Sequence, residues 1–299
     1  MMSGMYAAIS GLEVNQTMLN VTANNLANVN TIGYKAAQTE FADSLTQILR
    51  GASGAGAGTG GTNPVQVGLG AQVQATINEM GEGAFQNTSN PLDIAIEGAG
   101  FLRVGTGTPP TTPPYTANVP KNIVYTRAGD LTTDANGFLT TQSGYYVIGY
   151  TAVAKTVEGN TVYTPGTEET YIHIPPGSAD VSIGPNGAVN YVEENPESPN
   201  YGKQVTAGFI TLAQFPNEAG LERLGNSLWG ETANSGRPLV GVPGSRGFGA
   251  TIGGELEASN VNLAGEMAAM ITAERGYQAN TRVITTADEM LQAAVTMVQ

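Results

Sequence analysis

Leu256, Leu263, Met270, Tyr277, Ile284, Leu291 and Val298 recur at every seventh position along the C-terminal end of the chain. A seven-residue repeat keeps apolar side chains on one narrow stripe of a helix. The pattern therefore predicts a helix over 261–298, about 57 Å long at 1.5 Å per residue. Met267 and Val295 fall four residues after repeat positions, but so do Glu274, Thr281 and Asp288, which interrupt a simple two-stranded seam. Ser259, Asn260 and Asn262 are candidate N-caps. The N-terminal end carries a shorter version of the same pattern. Met5, Leu12, Leu19 and Leu26 are seven apart, with Ile9 and Ala23 four residues after repeat positions. This stripe is set among Asn15, Asn20, Asn24, Asn25, Asn28 and Asn30. Asn side chains compete for backbone hydrogen bonds, so the predicted helix is marginal in isolation. Gly33 is expected to end it as a C′ glycine. A second short helix is expected over 36–50.

Residues 51–61 are almost entirely Gly and Ala and read as a flexible linker. From Val65 to Thr251 the period changes to two, as in Val65, Val67, Leu69 and in Val73, Ala75, Ile77. Asp134-Ala-Asn-Gly137, Gln142-Ser-Gly144 and Gly184-Pro-Asn-Gly187 mark hairpin turns between such runs. The expected fold is α+β. N- and C-terminal α-helices pair into a coiled-coil-like domain, with a mainly antiparallel β domain between them. The expected division is 1–50 with 255–299 as a discontinuous helical domain, 51–64 as the Gly-rich linker and 65–254 as the β-rich domain. One partner helix covers only one stripe. The helices either form a hairpin packed on their own β domain or reach into neighbouring subunits, and the pattern alone leaves both open.

Composition narrows the chemistry. Asp and Glu total 25 against 12 Lys and Arg, a net charge of −13, so a nucleic-acid partner is not expected. There is no Cys and only one His, His173, which leaves no thiolate or two-His metal site within the chain. No run of 18 apolar residues occurs, so the chain is not expected to be membrane-embedded. Its first residues lack a basic and an apolar region, which reads as cytosolic or as exported without a cleavable signal. His173 sits in the alternating strand Tyr171-Ile-His-Ile174, and Glu168-Glu169 and Glu193-Glu194 read as solvated pairs. Asp134-Ala-Asn-Gly137 lacks the later ligands of a calcium loop. No catalytic residue, cofactor or metal is expected. The remote alternative, a β-rich surface enzyme or carbohydrate-binding module, needs convergent carboxylates or clustered aromatics that this pattern does not offer.

Four motifs carry a resemblance. The run from Ser10 to Lys35, Ser-Gly-Leu-x-x-x-Gln-Thr-x-Leu-Asn-Val-x-Ala-Asn-Asn-Leu-Ala-Asn-Val-Asn-Thr-x-Gly-Tyr-Lys, resembles the N-terminal signature of bacterial flagellar hook and rod axial proteins. Within it, Asn24, Asn25, Asn28, Gly33 and Lys35 are the motif positions. Asn90-Pro-Leu-Asp-Ile-Ala-Ile-Glu-Gly-Ala-Gly-Phe101 and Tyr125-Thr-Arg-Ala-Gly-Asp130 resemble the family's central β motifs. Gly254-Glu-Leu-Glu-Ala-Ser-Asn-Val-Asn262, followed by Arg275-Gly-Tyr-Gln-Ala-Asn280, resembles its C-terminal one. The resemblance implies a subunit passed unfolded through the flagellar type III export apparatus and built into a hollow helical tube of identical copies. The helices would line the tube and the β domain would form its outer shell. Other axial proteins and the hook cap would be partners, and the flagellum, outside or across the envelope, would be the location. The implied assembly seams are Met5, Ile9, Leu12, Leu19 and Leu26 at one end. At the other they are Leu263, Met267, Met270, Tyr277, Ile284, Leu291 and Val298. Gly60-Gly-Thr-Asn-Pro-Val-Gln-Val-Gly-Leu-Gly70 and Phe85-Gln-Asn-Thr-Ser-Asn-Pro-Leu-Asp93 look most like short hook proteins, so a hook subunit is the favoured expectation and a distal rod subunit the alternative.

Overall fold

The computed structural model describes residues 2–54, 60–110, 115–116, 119–120, 122–157, 160–194, 196, 201–245 and 247–298. The chain forms two compact units. One comprises Met1–Val29, Ala36–Glu79 and Val261–Gln299; the other comprises Asn30–Lys35 and Met80–Asn260.

The first unit is built on two helices, α1 (Met2–Ala27) and α2 (Leu263–Val298). Asn262 caps α2: its Oδ1 accepts the Gly265 N–H at 3.2 Å. Helix α1 stops at Ala27, six residues before Gly33. Asn28 Nδ2 donates to the Asn24 carbonyl at 2.8 Å, which satisfies an acceptor of the last turn and takes the chain out of the helix. Where a second helix is expected over 36–50, the chain forms strands β1 (Ala37–Asp43) and β2 (Thr46–Arg50). Strands β3 (Val65–Gly68) and β4 (Ala71–Asn78) supply their partners: β1 pairs antiparallel with β4, and β2 with β3. Cross-strand pairing with the alternating Val73, Ala75 and Ile77 outweighs the local helical tendency of 36–50. The β1–β4 ribbon is fastened to α1 by the Ala71 N–H, which donates to Ser10 Oγ at 3.2 Å. Every position of β2 and β3 is exposed. At the far end of this ribbon Ser53 and Thr62 exchange backbone hydrogen bonds; residues 55–59 of the expected linker lie outside the described residues.

The second unit is an antiparallel β structure, as the period-two pattern predicts. Its main sheet runs in the order Ala179–Ile183, Ala188–Val192, Gln204–Ile210, Tyr146–Val157, Phe101–Thr106, Asn122–Thr126, Leu228–Gly230 and Glu222–Gly225. The Phe101–Thr106 strand is buried on both faces, so it reads as a near-continuous apolar run. Leu102 and Val104 enter a cluster with Ile94, Ile96, Leu139 and Ile210. Phe101, on the opposite face, packs with Tyr125, Phe215 and Trp229. Trp229 occupies the strand next to the edge. The predicted turns form at Asp134–Gly137 and Gly184–Gly187. At Gly187, φ is +74° and an added Cβ would lie 2.9 Å from the Ile210 carbonyl, so glycine is required there. His173 stacks on Tyr115 with ring centroids 4.4 Å apart, and burial lowers its pKa.

Two buried phenols give this unit a pH dependence. Burial, reinforced by Glu231, pushes Tyr125 up to about 12, and burial, reinforced by Glu193, does the same to Tyr191. Free phenols ionise near pH 10. Between about pH 10 and pH 12 the unfolded chain therefore releases protons that the folded chain retains, and stability falls as pH rises. The urea midpoint followed by Trp229 fluorescence is expected to drop across this window. The drop should flatten in a Tyr125→Phe/Tyr191→Phe variant; an equally steep drop in that variant would refute the assignment.

Candidate assembly interface

The two helices pack antiparallel through their smallest and most polar residues. An added Cβ at Gly11 would lie 2.6 Å from Asn280 Nδ2, and one at Gly276 would lie 2.6 Å from Asn15 Oδ1. Each Asn thus sits over the other helix's glycine. Further along, buried Asn25 donates from Nδ2 to Glu266 Oε1 at 2.9 Å and to the Ala37 carbonyl at 2.8 Å, while its Oδ1 accepts the Ala37 N–H at 3.0 Å. The seam runs through Ala8, Gly11, Asn15, Thr22 and Asn25 on α1. On α2 it runs through Glu266, Ala273, Gly276 and Asn280, with Ala273 0% exposed. Missing side chains let the backbones approach closely, and Asn fills the remaining space; Asn15 Nδ2 donates to the Gly11 carbonyl of its own helix at 2.6 Å.

This seam lies three positions along from the apolar repeat of α2. Most of the large side chains of α2 lie outside this seam and are exposed. Leu263, Met267, Ile271, Tyr277, Val283, Met290, Leu291 and Val295 are each 38–62% exposed. Of the predicted seam positions, Leu263, Met267, Tyr277 and Leu291 are exposed, Met270 and Ile284 are half-buried, and the side chain of Val298 lies outside the described residues. On α1, Ile9 is exposed and Met5, Leu12, Leu19 and Leu26 are half-buried. The pairs 11/280, 15/276 and 25/266 place residue 2 opposite residue 289. The last nine residues of α2 therefore run about 13 Å beyond the described start of α1. They carry Met290, Leu291, Val295 and Met297, all exposed. Glu274 and Asp288, set within this stripe, are exposed carboxylates.

Of the motif residues, Asn24 is exposed and Asn28 half-buried, and Asn25 is in the seam just described. Gly33 and Lys35 belong to the second unit. There Lys35 Nζ meets Glu257 Oε1 at 2.5 Å, and Arg127 Nη1 meets Glu257 Oε2 at 3.3 Å. Lys35, Arg127 and Glu257 are all but excluded from solvent. Burial lowers the Lys35 pKa against the opposing pull of Glu257. The Gly33 N–H donates to the Glu257 carbonyl at 2.8 Å. Gly33 has φ +64°, and a Cβ there would lie 2.5 Å from the Ala128 nitrogen. Its glycine is required by this packing, not by a helix end. Neither Arg127 nor Glu257 is marked by local pattern; only their places in two of the four motifs point to them.

Three family models match the chain: "Flagella basal body rod protein" over residues 5–35, "Flagellar hook protein FlgE/F/G D1 domain" over 95–191, and "Flagellar basal body rod FlgEFG protein C-terminal" over 252–297. The flagellar basal-body rod protein FlgG of Bacillus subtilis is 37% identical over 298 residues, which is 99% of each chain. This chain belongs to the flagellar rod and hook protein family. The family is structural and not enzymatic, and membership places the chain in the flagellum. The FlgG rod protein of Caulobacter vibrioides is 35% identical over 98% of each chain. The hook protein FlgE of Borreliella burgdorferi is 25% identical, in an alignment that runs over 453 residues. Among the described residues, no helix is long and apolar enough to cross a membrane.

The tightness of the helix seam is testable. Ala273→Leu forces a large side chain between the helices and is expected to cost about 1–3 kcal/mol. Ala268→Leu, on an exposed position of the same helix, should change stability by less than about 0.5 kcal/mol. Urea unfolding followed at 222 nm measures both, and equal effects would contradict the seam.

Proposed function

We propose that this chain is a distal rod subunit of the flagellar basal body. The observation that carries the reading is the end-to-end match in length. Relatives named as rod proteins cover this chain and are covered by it with almost nothing left over, at 37% and 35% identity. The hook relative is less similar and needs an alignment half as long again as this chain. The short hook-like motifs at 60–70 and 85–93 favour a hook subunit when read alone, but the rod alternative has the better support.

In this reading, copies of the chain polymerise through the exposed apolar stripe of α2 and the outward side chains of α1, Tyr6 and Ile9 among them. Helix α1 shields the small-residue face of α2, and neighbouring copies cover the large-residue faces. Burying each large side chain contributes about 1.5–3 kcal/mol, before ordering costs are subtracted. The exposed β2–β3 ribbon, with Ile48, Leu49, Val65 and Val67 open to solvent, is a second surface for a neighbour, because an isolated two-stranded ribbon is marginal in water. The chain reaches its place through the flagellar export apparatus and joins other axial proteins at the ends of its own segment.

Deleting the gene and imaging detergent-extracted basal bodies separates the two readings. Bodies truncated within the rod are expected; complete rods lacking only a hook would make this the hook subunit. For the stripe, a Met267→Asp/Ile271→Asp variant should keep the monomer's helical signal and urea midpoint while abolishing polymerisation and swimming. Normal assembly of that variant would remove the stripe from the interface.

A further inference from the structure

Three stretches of the second unit carry the chain to and from the first: Asn30–Lys35, the run after Met80, and the run up to Asn260. One buried carboxylate ties all three. Glu257 Oε1 accepts from Lys35 Nζ and, at 3.0 Å, from the Gly83 N–H. Lys35 Nζ also donates to the Gly81 carbonyl at 2.8 Å, and Asn260 Nδ2 donates to the same oxygen at 3.0 Å. The Ala258 N–H donates to the Ala84 carbonyl at 2.9 Å. An added Cβ at Gly83 would stand 1.9 Å from the Ala258 carbonyl oxygen, so the segments lie backbone to backbone. Arg127 anchors the other carboxylate oxygen to the sheet, donating from Nη2 to the Gly98 carbonyl at 2.8 Å.

We infer that the Lys35–Glu257–Arg127 cluster is a closure lock, a conformational device that makes the ordering of the three crossing segments one cooperative event. Residue 35 lies eight positions past the end of α1, and residue 257 lies six before the start of α2. Without the lock, the helices must find each other across the loop formed by the whole β unit, at a high closure entropy. With it, the segment that follows α1 and the segment that precedes α2 are held together within the second unit, and the loop left to close is short. The lock also cannot close early. Lys35 and Arg127 are buried as cations only when the carboxylate arrives, because an uncompensated buried charge is strongly unfavourable. A chain lacking residue 257, or not yet delivered that far, has an incomplete β unit and unrooted helices. The inference concerns the single chain and does not depend on whether it builds rod or hook.

Two probes test it. The protein's one Trp, Trp229, reports on the β unit, and the 222 nm signal reports chiefly on α1 and α2. In the native chain the two urea transitions are expected to coincide. In Lys35→Met, which leaves the Glu257–Arg127 pair intact, the helical transition should fall below that of Trp229 by about 1 M urea. Glu257→Gln should separate them further, and if it does not fold, Lys35→Met decides. Arg103→Met breaks another ion pair, from buried Arg103 to the partly exposed Glu169 at 2.7 Å, away from the crossing segments. It should shift both transitions together. Coincident transitions in Lys35→Met, separate transitions in the native chain, or separation in Arg103→Met would each overturn the lock.

Discussion

Asn15 over Gly276 and Asn280 over Gly11 set the geometry of the helical unit. Two helices that meet through glycine and alanine approach closely, and only side chains as small as Asn and Thr fit between them. Val14 is buried on α1, and the other described large apolar residues of the two helices are left half-buried or exposed. The helix pair is consequently held by close backbone approach, by the buried Ala8, Val14 and Ala273 and by the Asn25–Glu266 hydrogen bond, while much of its large hydrophobic surface is left exposed. In a monomer this is a costly arrangement. In the polymer proposed above it becomes the source of cohesion, because each stripe left open by one chain is available to the next. The small-residue seam and the exposed stripe are thus one constraint seen from two sides of the same helix.

The second constraint is electrostatic. Glu257 is the anion for two buried cations and an acceptor for a backbone N–H, and the three charged residues come from three of the family's motifs. A buried carboxylate is tolerated because its partners satisfy both oxygens. Its backbone also contributes: the Glu257 carbonyl receives the Gly33 N–H, so one residue holds the N-terminal motif by both main chain and side chain. Lys35 and Gly33 follow from this contact, one as a donor long enough to reach, the other as the backbone that fits against Ala128.

The parts of the fold governed by local periodicity were legible in the sequence. The terminal helices show as seven-residue repeats, and the β unit shows as period-two runs separated by Asn-Gly and Gly-rich turns. The seam was not legible. Glu266, Ala273, Asn280 and Ala287 repeat with the same period as the leucines, but small and polar residues give no hydrophobic signal. The stronger repeat three positions away belongs to a different face. Strand β1 was missed because its partner, β4, lies some thirty residues on, and pairing of that kind overrides local propensity. Lys35 was marked by its motif, yet no spacing rule connects it to residues 127 and 257. The proposal of rod over hook rests on whole-chain length in comparison with relatives, which the short motifs do not carry.

The central claim is that the outward face of α2 is covered by neighbouring copies. Methionine oxidation reads this directly, since Met267, Met290 and Met297 lie on exposed positions of that helix. Peroxide treatment followed by peptide mass spectrometry compares the isolated chain with the same chain in purified basal bodies. The account predicts rapid oxidation of all three in the monomer and strong protection in the assembled structure. Equal oxidation rates in the two states would mean that the stripe stays open after assembly, and would contradict the account.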